Sequence, residues 1–323
     1  MRGNHIESEH LSKSLIMNLD KNKLFSTNNE NDYIFPRSSI KIMQAIPFAS
    51  SSSIKTFNLN EKQIALSCSS HSGENYHIKQ LNNWLKKIKI KKTQILCGIH
   101  NPLDNKSSDK LLLSGIKSDQ LCNNCAGKHM AMLSSSLVNN YKTNNYLDFN
   151  HPHQLEIKKT LEAFSESKIY KKNYAIDGCS APQYAFRFIN ICNILINLVN
   201  SYNSNFEKTD EVKVLLSAIL KNPFFIGGYN NLDSNLINFS NKKLFCKGGA
   251  EGVLLFAHLK KNIVGLIKVS DGNERILPSV VYKLFKKFKI LNSYELSAYK
   301  KWHNNIIYNH AGKTVGKIFT EIK

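Results

Sequence analysis

Apolar residues recur along the chain with the period of amphipathic helices. Residues 186–200, FRFINICNILINLVN, place an asparagine at every third or fourth position among apolar side chains. This spacing predicts a helix with a narrow polar stripe and a wide buried face. The same period predicts three further helices, at residues 126–139, 152–166 and 279–290.

Two apolar runs near the C-terminus have the character of strands instead. They cover residues 252–259 and 263–269 and are separated only by Lys260-Lys261-Asn262. Such a pair predicts a hairpin and therefore an antiparallel sheet. With helices predicted on both sides of the hairpin, we expect an α+β fold in which helices flank an antiparallel sheet. Because no linker or change in composition interrupts the chain, we expect a single domain over residues 1–323.

Composition limits the classes of partner. The chain has 323 residues, 42% of them hydrophobic, and a formal net charge of +20. Lysine is spread over the whole length, and its densest runs, residues 86–92 and 283–289, alternate with apolar residues. This pattern favours the solvated side of half-buried elements over a nucleic-acid surface, so we expect no nucleic-acid partner.

Signals for export are missing from the sequence. There is no apolar run behind the N-terminal arginine and no stretch of apolar residues long enough to span a bilayer, so we expect a cytoplasmic protein without a membrane partner. The seven cysteines are an odd number scattered over a large chain. They favour reduced thiols or metal ligands over a disulfide scaffold.

The tetrapeptide SSIK occurs twice, and each copy places a serine three residues before a lysine. On the first turn of a helix this spacing lets the amine accept the hydroxyl proton. Ser38 and Lys41 precede an apolar helical stripe, whereas Ser52 and Lys55 lead into residues without helical period. Of the two copies, Ser38 with Lys41 is therefore the better candidate for a nucleophile and its base. Without further support, a helix cap beside a solvated lysine is the preferred interpretation of this pair.

Two other segments carry groups suited to the same chemistry. Lys247 and two following glycines directly precede the predicted hairpin, as in serine enzymes that carry a Lys-x-Gly on a strand edge beside the nucleophile. The polar cluster SSHSGE, residues 69–74, combines three hydroxyls, an imidazole and a carboxylate. On its own it is equally consistent with an ordinary loop.

Cysteines form a separate constellation. CNNCAGKHMAML, residues 122–133, brings a Cys-x-x-Cys together with Lys128 and His129, and DGCSAP, residues 177–182, adds a thiol on a turn. Buried inert thiols, a zinc site and a redox pair are all open, in that order of preference. The redox interpretation lacks a small βαβ unit around the motif, and a four-thiolate zinc site lacks a second Cys-x-x-Cys.

An ordered set of short motifs resembles the class 3, or rhizobial-type, L-asparaginase family. These motifs span nearly the whole chain: ESEH (7–10), FPRSSIKIMQA (35–45), SSHSGE (69–74), CGIHNP (97–102), NCAGKHMAML (124–133), DGCSAP (177–182), KGGAEGV (247–253) and KVSDG (268–272). The resemblance implies hydrolysis of L-asparagine to L-aspartate and ammonia. It also implies a fold similar to the serine β-lactamases and penicillin-binding enzymes.

The resemblance also implies particular roles. Two Ser–Lys tandems fall on Ser38 with Lys41 and on Ser70 with Lys247. A zinc ion held by two cysteines and a lysine matches three residues: Cys125, Lys128 and Cys179. The metal must then displace a proton from an amine, at a cost that two thiolates help to offset.

Charged or titratable groups beside these motifs are candidates for binding the substrate's α-carboxylate and α-amine: Arg37, His71, Glu74 and Asp177. An amidase for glutamine or a peptide amide, and a non-catalytic binding protein on the same fold, remain alternatives, because amides that differ by one methylene are separated only by pocket shape. We also expect a homodimer.

Overall fold

The computed structural model describes residues 1–322 as helices packed on a five-stranded antiparallel sheet. Strands β1 to β11 are, in chain order, Ser12–Asn18, Lys23–Ser26, Tyr33–Ile34, Tyr174–Ile176, Pro182–Tyr184, Phe186–Arg187, Leu244–Gly249, Val253–His258, Ile263–Val269, Ile306–Tyr308 and Thr314–Lys317. Helices α1 to α12 are Lys41–Ser50, Ser53–Thr56, Glu61–Ser67, Asn75–Ile88, Asn105–Leu113, Ala126–Val138, Pro152–Ser165, Phe188–Tyr202, Thr209–Lys221, Leu232–Phe239, Leu277–Lys287 and Ser293–Trp302.

The sheet is built around the predicted hairpin. Its strand order is β2-β1-β9-β8-β7, with every neighbouring pair antiparallel. In the hairpin, Val253 lies opposite Lys268 and His258 opposite Ile263. Strand β7 lies at the edge, so one of its sides is free to meet other parts of the chain.

Helices cover both faces of this sheet. All six residues of β8 are buried, and successive side chains of a strand point to opposite faces. On one face Phe256 of β8 packs against Phe285 of α11, with ring centroids 4.8 Å apart, and Gly265 leaves room for the Phe256 ring. The predicted α+β class, an antiparallel sheet flanked by helices, is confirmed.

The four predicted helices are present as α6, α7, α8 and α11, each with ends within two or three residues of the prediction. The asparagine stripe of α8 faces the protein rather than solvent. Asn193 and Asn197 donate hydrogen bonds to the carboxylate of Glu166, and Asn197 also donates to the carbonyl of Phe164. The amide nitrogens of both asparagines therefore have hydrogen-bond acceptors, as buried polar groups generally do.

Neither α8 nor any other helix within residues 1–322 combines the length and apolar character needed to cross a membrane. The lysine runs of the sequence fall at the end of α4 and along α11, where Lys86, Lys89 and Lys286 are exposed. Their positions are those of solvated faces, as the alternation with apolar residues predicts.

Candidate active site

Ser38 lies on a tight turn that runs directly into helix α1. A 3₁₀ turn covers Arg37–Ile40, and α1 begins at Lys41. Arg37 has φ of 53°, a left-handed conformation that costs a non-glycine residue about 1–3 kcal/mol. The Ser38 hydroxyl is half-buried and makes no hydrogen bond to the part of the chain that the structure describes.

The edge strand β7 packs closely against this turn. A Cβ atom on Gly249 would lie 2.5 Å from the carbonyl oxygen of Pro36 and 3.2 Å from the backbone nitrogen of Ser39. Only glycine allows so close an approach of two backbones. The glycine pair after Lys247 thus brings this lysine's strand alongside Ser38, as the sequence interpretation requires.

Lys41 links the two serine motifs. Its side chain is fully buried, and its Nζ lies 2.5 Å from the carbonyl oxygen of Ser69 and 3.0 Å from the Oγ of Ser70. Ser70 lies in the loop between α3 and α4, where its backbone nitrogen donates to the carbonyl of Ile226. One amine is therefore in contact with the hydroxyl of the second motif.

The surroundings of Lys41 favour a neutral amine. Burial, foremost, lowers the pKa of Lys41 below its ordinary value, although the Cys125 sulfur opposes the shift. The nearby ammonium groups of Lys128 and Lys247 lower it further. A lysine in this state can accept a proton, which an ordinary protonated lysine cannot.

Lys247 pairs with a carboxylate and not with Ser70, its expected partner. Its Nζ lies 2.8 Å from Oδ2 of Asp233, and both side chains are almost completely buried. Within residues 1–322, Ser70 and Lys247 share no hydrogen bond, and neither do Ser38 and Lys41. The structure thus pairs Ser70 with Lys41, and Lys247 with a carboxylate.

The three predicted zinc ligands converge. Cys125 is the residue before α6, Lys128 lies on its first turn, and Cys179 lies in the turn between β4 and β5. Lys128 Nζ is 3.0 Å from Cys179 Sγ, and the Cys125 sulfur is close enough to shift the pKa values of both Lys128 and Cys179. The packing at this helix start requires Gly127, whose Cβ would meet the carbonyl oxygen of Leu66 at 2.0 Å.

Charges in this cluster favour a thiolate on Cys179. Its hydrogen bond to Cys125, followed by the Lys128 ammonium, outweighs burial and lowers the pKa of Cys179 to about 5. The same hydrogen bond together with burial raises the pKa of Cys125 to about 12. Burial opposes the charge on Lys128, yet the two sulfur atoms raise its pKa above the ordinary value.

These donors fit a zinc ion. The side chains of Cys125, Lys128 and Cys179 are at most 4% exposed. Thiolate sulfur is a ligand that zinc prefers, whereas the Lys128 amine can bind the ion only after it loses its proton. Within residues 1–322 no group of three or more His, Cys, Asp or Glu side chains is arranged to hold a metal ion. A zinc ion here would use both sulfurs and the Lys128 amine.

Two of the predicted substrate-binding residues form an ion pair with each other. Arg37 Nε donates to Asp177 Oδ1 at 2.9 Å, and no other nitrogen of this guanidinium has a hydrogen-bond partner within residues 1–322. Burial disfavours charge on Asp177, but Lys128 and Arg37 outweigh it and hold the pKa of Asp177 below its ordinary value. Asp177 therefore holds the Arg37 guanidinium in position through Nε. The two Nη atoms of Arg37 remain available to donate hydrogen bonds.

The other two lie in the loop that carries Ser70. Burial, foremost, holds the pKa of His71 well below its ordinary value, so this imidazole is neutral near pH 7 and offers hydrogen bonds rather than charge. Glu74 accepts hydrogen bonds from Ser72 Oγ and the backbone nitrogen of Tyr229, 2.9 and 3.0 Å away. Ser70 and Glu74 together line a cavity of about 400 Å³.

The second SSIK copy is placed elsewhere. Ser52 and Lys55 are both exposed, on or next to the short helix α2, where Ser52 Oγ accepts only a hydrogen bond from Thr56. This short helix is absent from the sequence prediction. Of the two copies, only the Ser38 copy lies among the other predicted site residues.

The family described as L-asparaginase II matches residues 1–320. The chain belongs to the L-asparaginase II family. It is therefore an L-asparaginase-type amidohydrolase that acts on a small molecule.

Among solved structures, this L-asparaginase II chain is similar to a protein from Bacteroides dorei DSM 17855 described as a beta-lactamase. The two are 11% identical, the similarity covers 86% of this chain and 94% of the other, and the TM-score is 0.42. No curated protein matches the chain.

Several groups around the site of this L-asparaginase II chain could not be identified from the sequence. Asp233 lies on the first turn of α10, where an acidic residue is common for helix stability alone, so nothing in the sequence separates it from an ordinary capping residue. Further residues line the cavity beside Ser70: Asp104, Asn105, Asn230 and Asn231. They come from the start of α5 and from the loop before α10, where the sequence has no recognisable motif.

Proposed function

We propose that this chain hydrolyses L-asparagine to L-aspartate and ammonia, with Ser38 as the nucleophile and Lys41 as its base. The observation that carries the proposal is the fully buried Lys41 amine, whose pKa is lowered and whose Nζ contacts the Ser70 hydroxyl at 3.0 Å. A neutral amine in contact with a serine hydroxyl is an arrangement that activates a serine nucleophile, and here Ser70 would connect the amine to Ser38.

The reaction proceeds in two halves. In the first, Ser38 Oγ attacks the side-chain amide carbon of asparagine, and its proton passes through the Ser70 hydroxyl to Lys41. The tetrahedral intermediate then collapses as the nitrogen takes that proton back and leaves as ammonia, with the aspartyl group esterified to Ser38. In the second half, water attacks the ester and gives a proton to the same amine. The amine returns this proton to Ser38 Oγ as the ester bond breaks, and aspartate is released.

Two sets of charges assist these steps. The Lys247 ammonium, on the strand that packs against the Ser38 turn, stabilises the negative charge that develops on the amide oxygen. The free nitrogens of Arg37 bind the substrate α-carboxylate, and the Glu74 carboxylate, which lines the cavity beside Ser70, binds the α-ammonium.

The guanidinium assignment predicts a binding defect. Arg37→Lys keeps a positive charge but loses the planar fork, so we expect KM for asparagine to rise roughly 10- to 100-fold with a smaller change in kcat. Steady-state kinetics on purified protein measure both constants. Arg187→Lys, at an exposed position on β6, is the matched control. An unchanged KM in Arg37→Lys would contradict the assignment.

Substrate choice is tested by ammonia release from L-asparagine, L-glutamine and β-aspartyl peptides in parallel. We expect asparagine to be the preferred substrate. Preference for another of these amides would change the substrate but keep the reaction, whereas no ammonia from any of them would favour the non-catalytic binding protein.

A zinc ion held by Cys125, Lys128 and Cys179 would supply a Lewis-acidic positive charge beside Asp177 and the Arg37 ion pair. We expect protein purified without chelator to contain zinc, and Cys125→Ala with Cys179→Ala to lose it. Cys122→Ala is the control, because this thiol makes no hydrogen bond to either ligand cysteine within residues 1–322. Elemental analysis gives the metal content without reference to activity, and full zinc occupancy in the double variant would refute the site.

The predicted homodimer and cytoplasmic location stay predictions. Size-exclusion chromatography with light scattering would measure the first, and cell fractionation the second.

A further inference from the structure

Lys247 has an acidic partner that the proposed reaction does not use. Its Nζ donates to Asp233 Oδ2 and to the carbonyl oxygen of Gly248, each at 2.8 Å. The two charged side chains are 2% and 5% exposed. An ammonium has three N–H donors, so one donor of Lys247 is left without a partner among the described residues.

The carboxylate of Asp233 is held firmly in place. The backbone nitrogen of Asp233 donates a hydrogen bond to Oδ1 of Asn231, the residue that caps α10. On the other side, a Cβ atom on Gly248 would lie 2.9 Å from Oδ1 of Asp233. The strand therefore fits closely around the carboxylate, which restricts where the Lys247 ammonium can go.

We propose that Asp233 is a positioning residue that keeps Lys247 charged and directs its remaining N–H toward the reacting amide, so that Lys41 alone acts as base. The inference rests on the proposed function. An ammonium buried without a counter-charge would release its proton, and two neutral lysines would then compete for the base role while the developing oxyanion lost its cation.

Other titratable groups near Lys247 do not take over this role. They are Lys41, Cys68, Cys246 and Glu274. Burial raises the pKa of Cys68 to about 12 and that of Cys246 well above its ordinary value, so both thiols are neutral. Burial also raises the pKa of Glu274, and this carboxylate makes no ion pair within residues 1–322. Asp233 is the acidic group in direct contact.

The charge state of Lys247 can be measured directly by NMR titration of protein labelled with ¹³C at lysine Cε. The Lys247 signal is assigned by its loss in Lys247→Arg. In the wild type we expect this signal to be that of an ammonium over the whole pH range in which the enzyme turns over. Deprotonation of Lys247 near neutral pH in the wild type would overturn the proposal, without need of any Asp233 variant.

The variant Asp233→Asn keeps the size of the side chain and removes its charge. We expect the titration midpoint of Lys247 to fall by about 1–3 pH units. We also expect kcat for asparagine to drop roughly 100-fold with KM nearly unchanged, and the alkaline limb of the pH–rate profile to move to lower pH by a similar interval.

The matched control is Glu295→Gln. Glu295 is also a buried carboxylate beside a lysine, Lys243, but it caps α12 away from the Ser38 turn. We expect Glu295→Gln to keep the wild-type pH profile even if its stability falls. The proposal fails if Asp233→Asn retains the wild-type Lys247 titration, or keeps both kcat and the pH profile. Absence of turnover in the wild type would instead refute the proposed function, while the NMR titration still decides the charge of Lys247.

Discussion

Replacing Ser38 by alanine is expected to lower kcat for L-asparagine by roughly 10⁴- to 10⁶-fold, the loss seen when a serine enzyme is deprived of its nucleophile. Stability should change by no more than about 0.5 kcal/mol, because the half-buried hydroxyl makes no hydrogen bond to the described part of the chain. Ammonia release and thermal unfolding, measured on the same preparation, separate loss of chemistry from loss of fold.

Two serine variants complete this test. Ser52→Ala, in the exposed SSIK copy, should keep wild-type turnover. Ser70→Ala should lose roughly 10²- to 10⁴-fold, because it interrupts proton transfer to Lys41 but leaves the attacking atom in place. If Ser70→Ala were the more damaged enzyme and Ser38→Ala kept substantial activity, Ser70 would be the nucleophile.

Replacing Lys41 by methionine is expected to have the second largest effect, a fall in kcat of at least about 10³-fold. Methionine fills a similar volume but cannot accept a proton. The carbonyl of Ser69 loses its donor, which costs about 1–3 kcal/mol, but the burial of an amine is relieved, so the variant should fold. Lys55→Met, at the exposed lysine of the other SSIK copy, is the matched control and should be fully active. If Lys41→Met kept its activity, Lys41 could not be the base.

The lowered pKa of Lys41 also sets the direction of two pH dependences. Turnover should fall as the pH drops through this pKa, because the protonated amine cannot act as base. The unfolded chain binds a proton that the buried amine releases, so the free energy of unfolding should rise with pH between the folded and unfolded pKa values. Lys41→Met should remove this contribution to the slope, as measured by urea unfolding at several pH values.

Sequence reasoning predicted the elements whose pattern is local. The apolar runs around Lys260-Lys261-Asn262 form the hairpin of β8 and β9, and the asparagine period of residues 186–200 forms α8. Pattern also separated Ser38 from Ser52, because only the first precedes an apolar stripe. The sequence could not show that the asparagine stripe of α8 faces the protein interior, because this orientation depends on contact with Glu166 at the end of α7.

Pairings across the fold could not be predicted in the same way. The family resemblance implied a pair of Ser70 with Lys247, but the amine in contact with Ser70 Oγ is that of Lys41, at the start of α1. Asp233 had no distinguishing signal, because its importance comes from burial against β7 rather than from its neighbours in sequence. Likewise, the Arg37–Asp177 contact joins residues 140 positions apart.

The most direct test of the account is to locate the covalent intermediate. Protein mixed with L-asparagine is quenched in acid within the first turnovers, digested, and analysed by mass spectrometry for a peptide that carries an esterified aspartyl group. We expect this group on Ser38 in the wild type and on no residue in Ser38→Ala. An aspartyl group on Ser70, or turnover by Ser38→Ala at the wild-type rate, would contradict it.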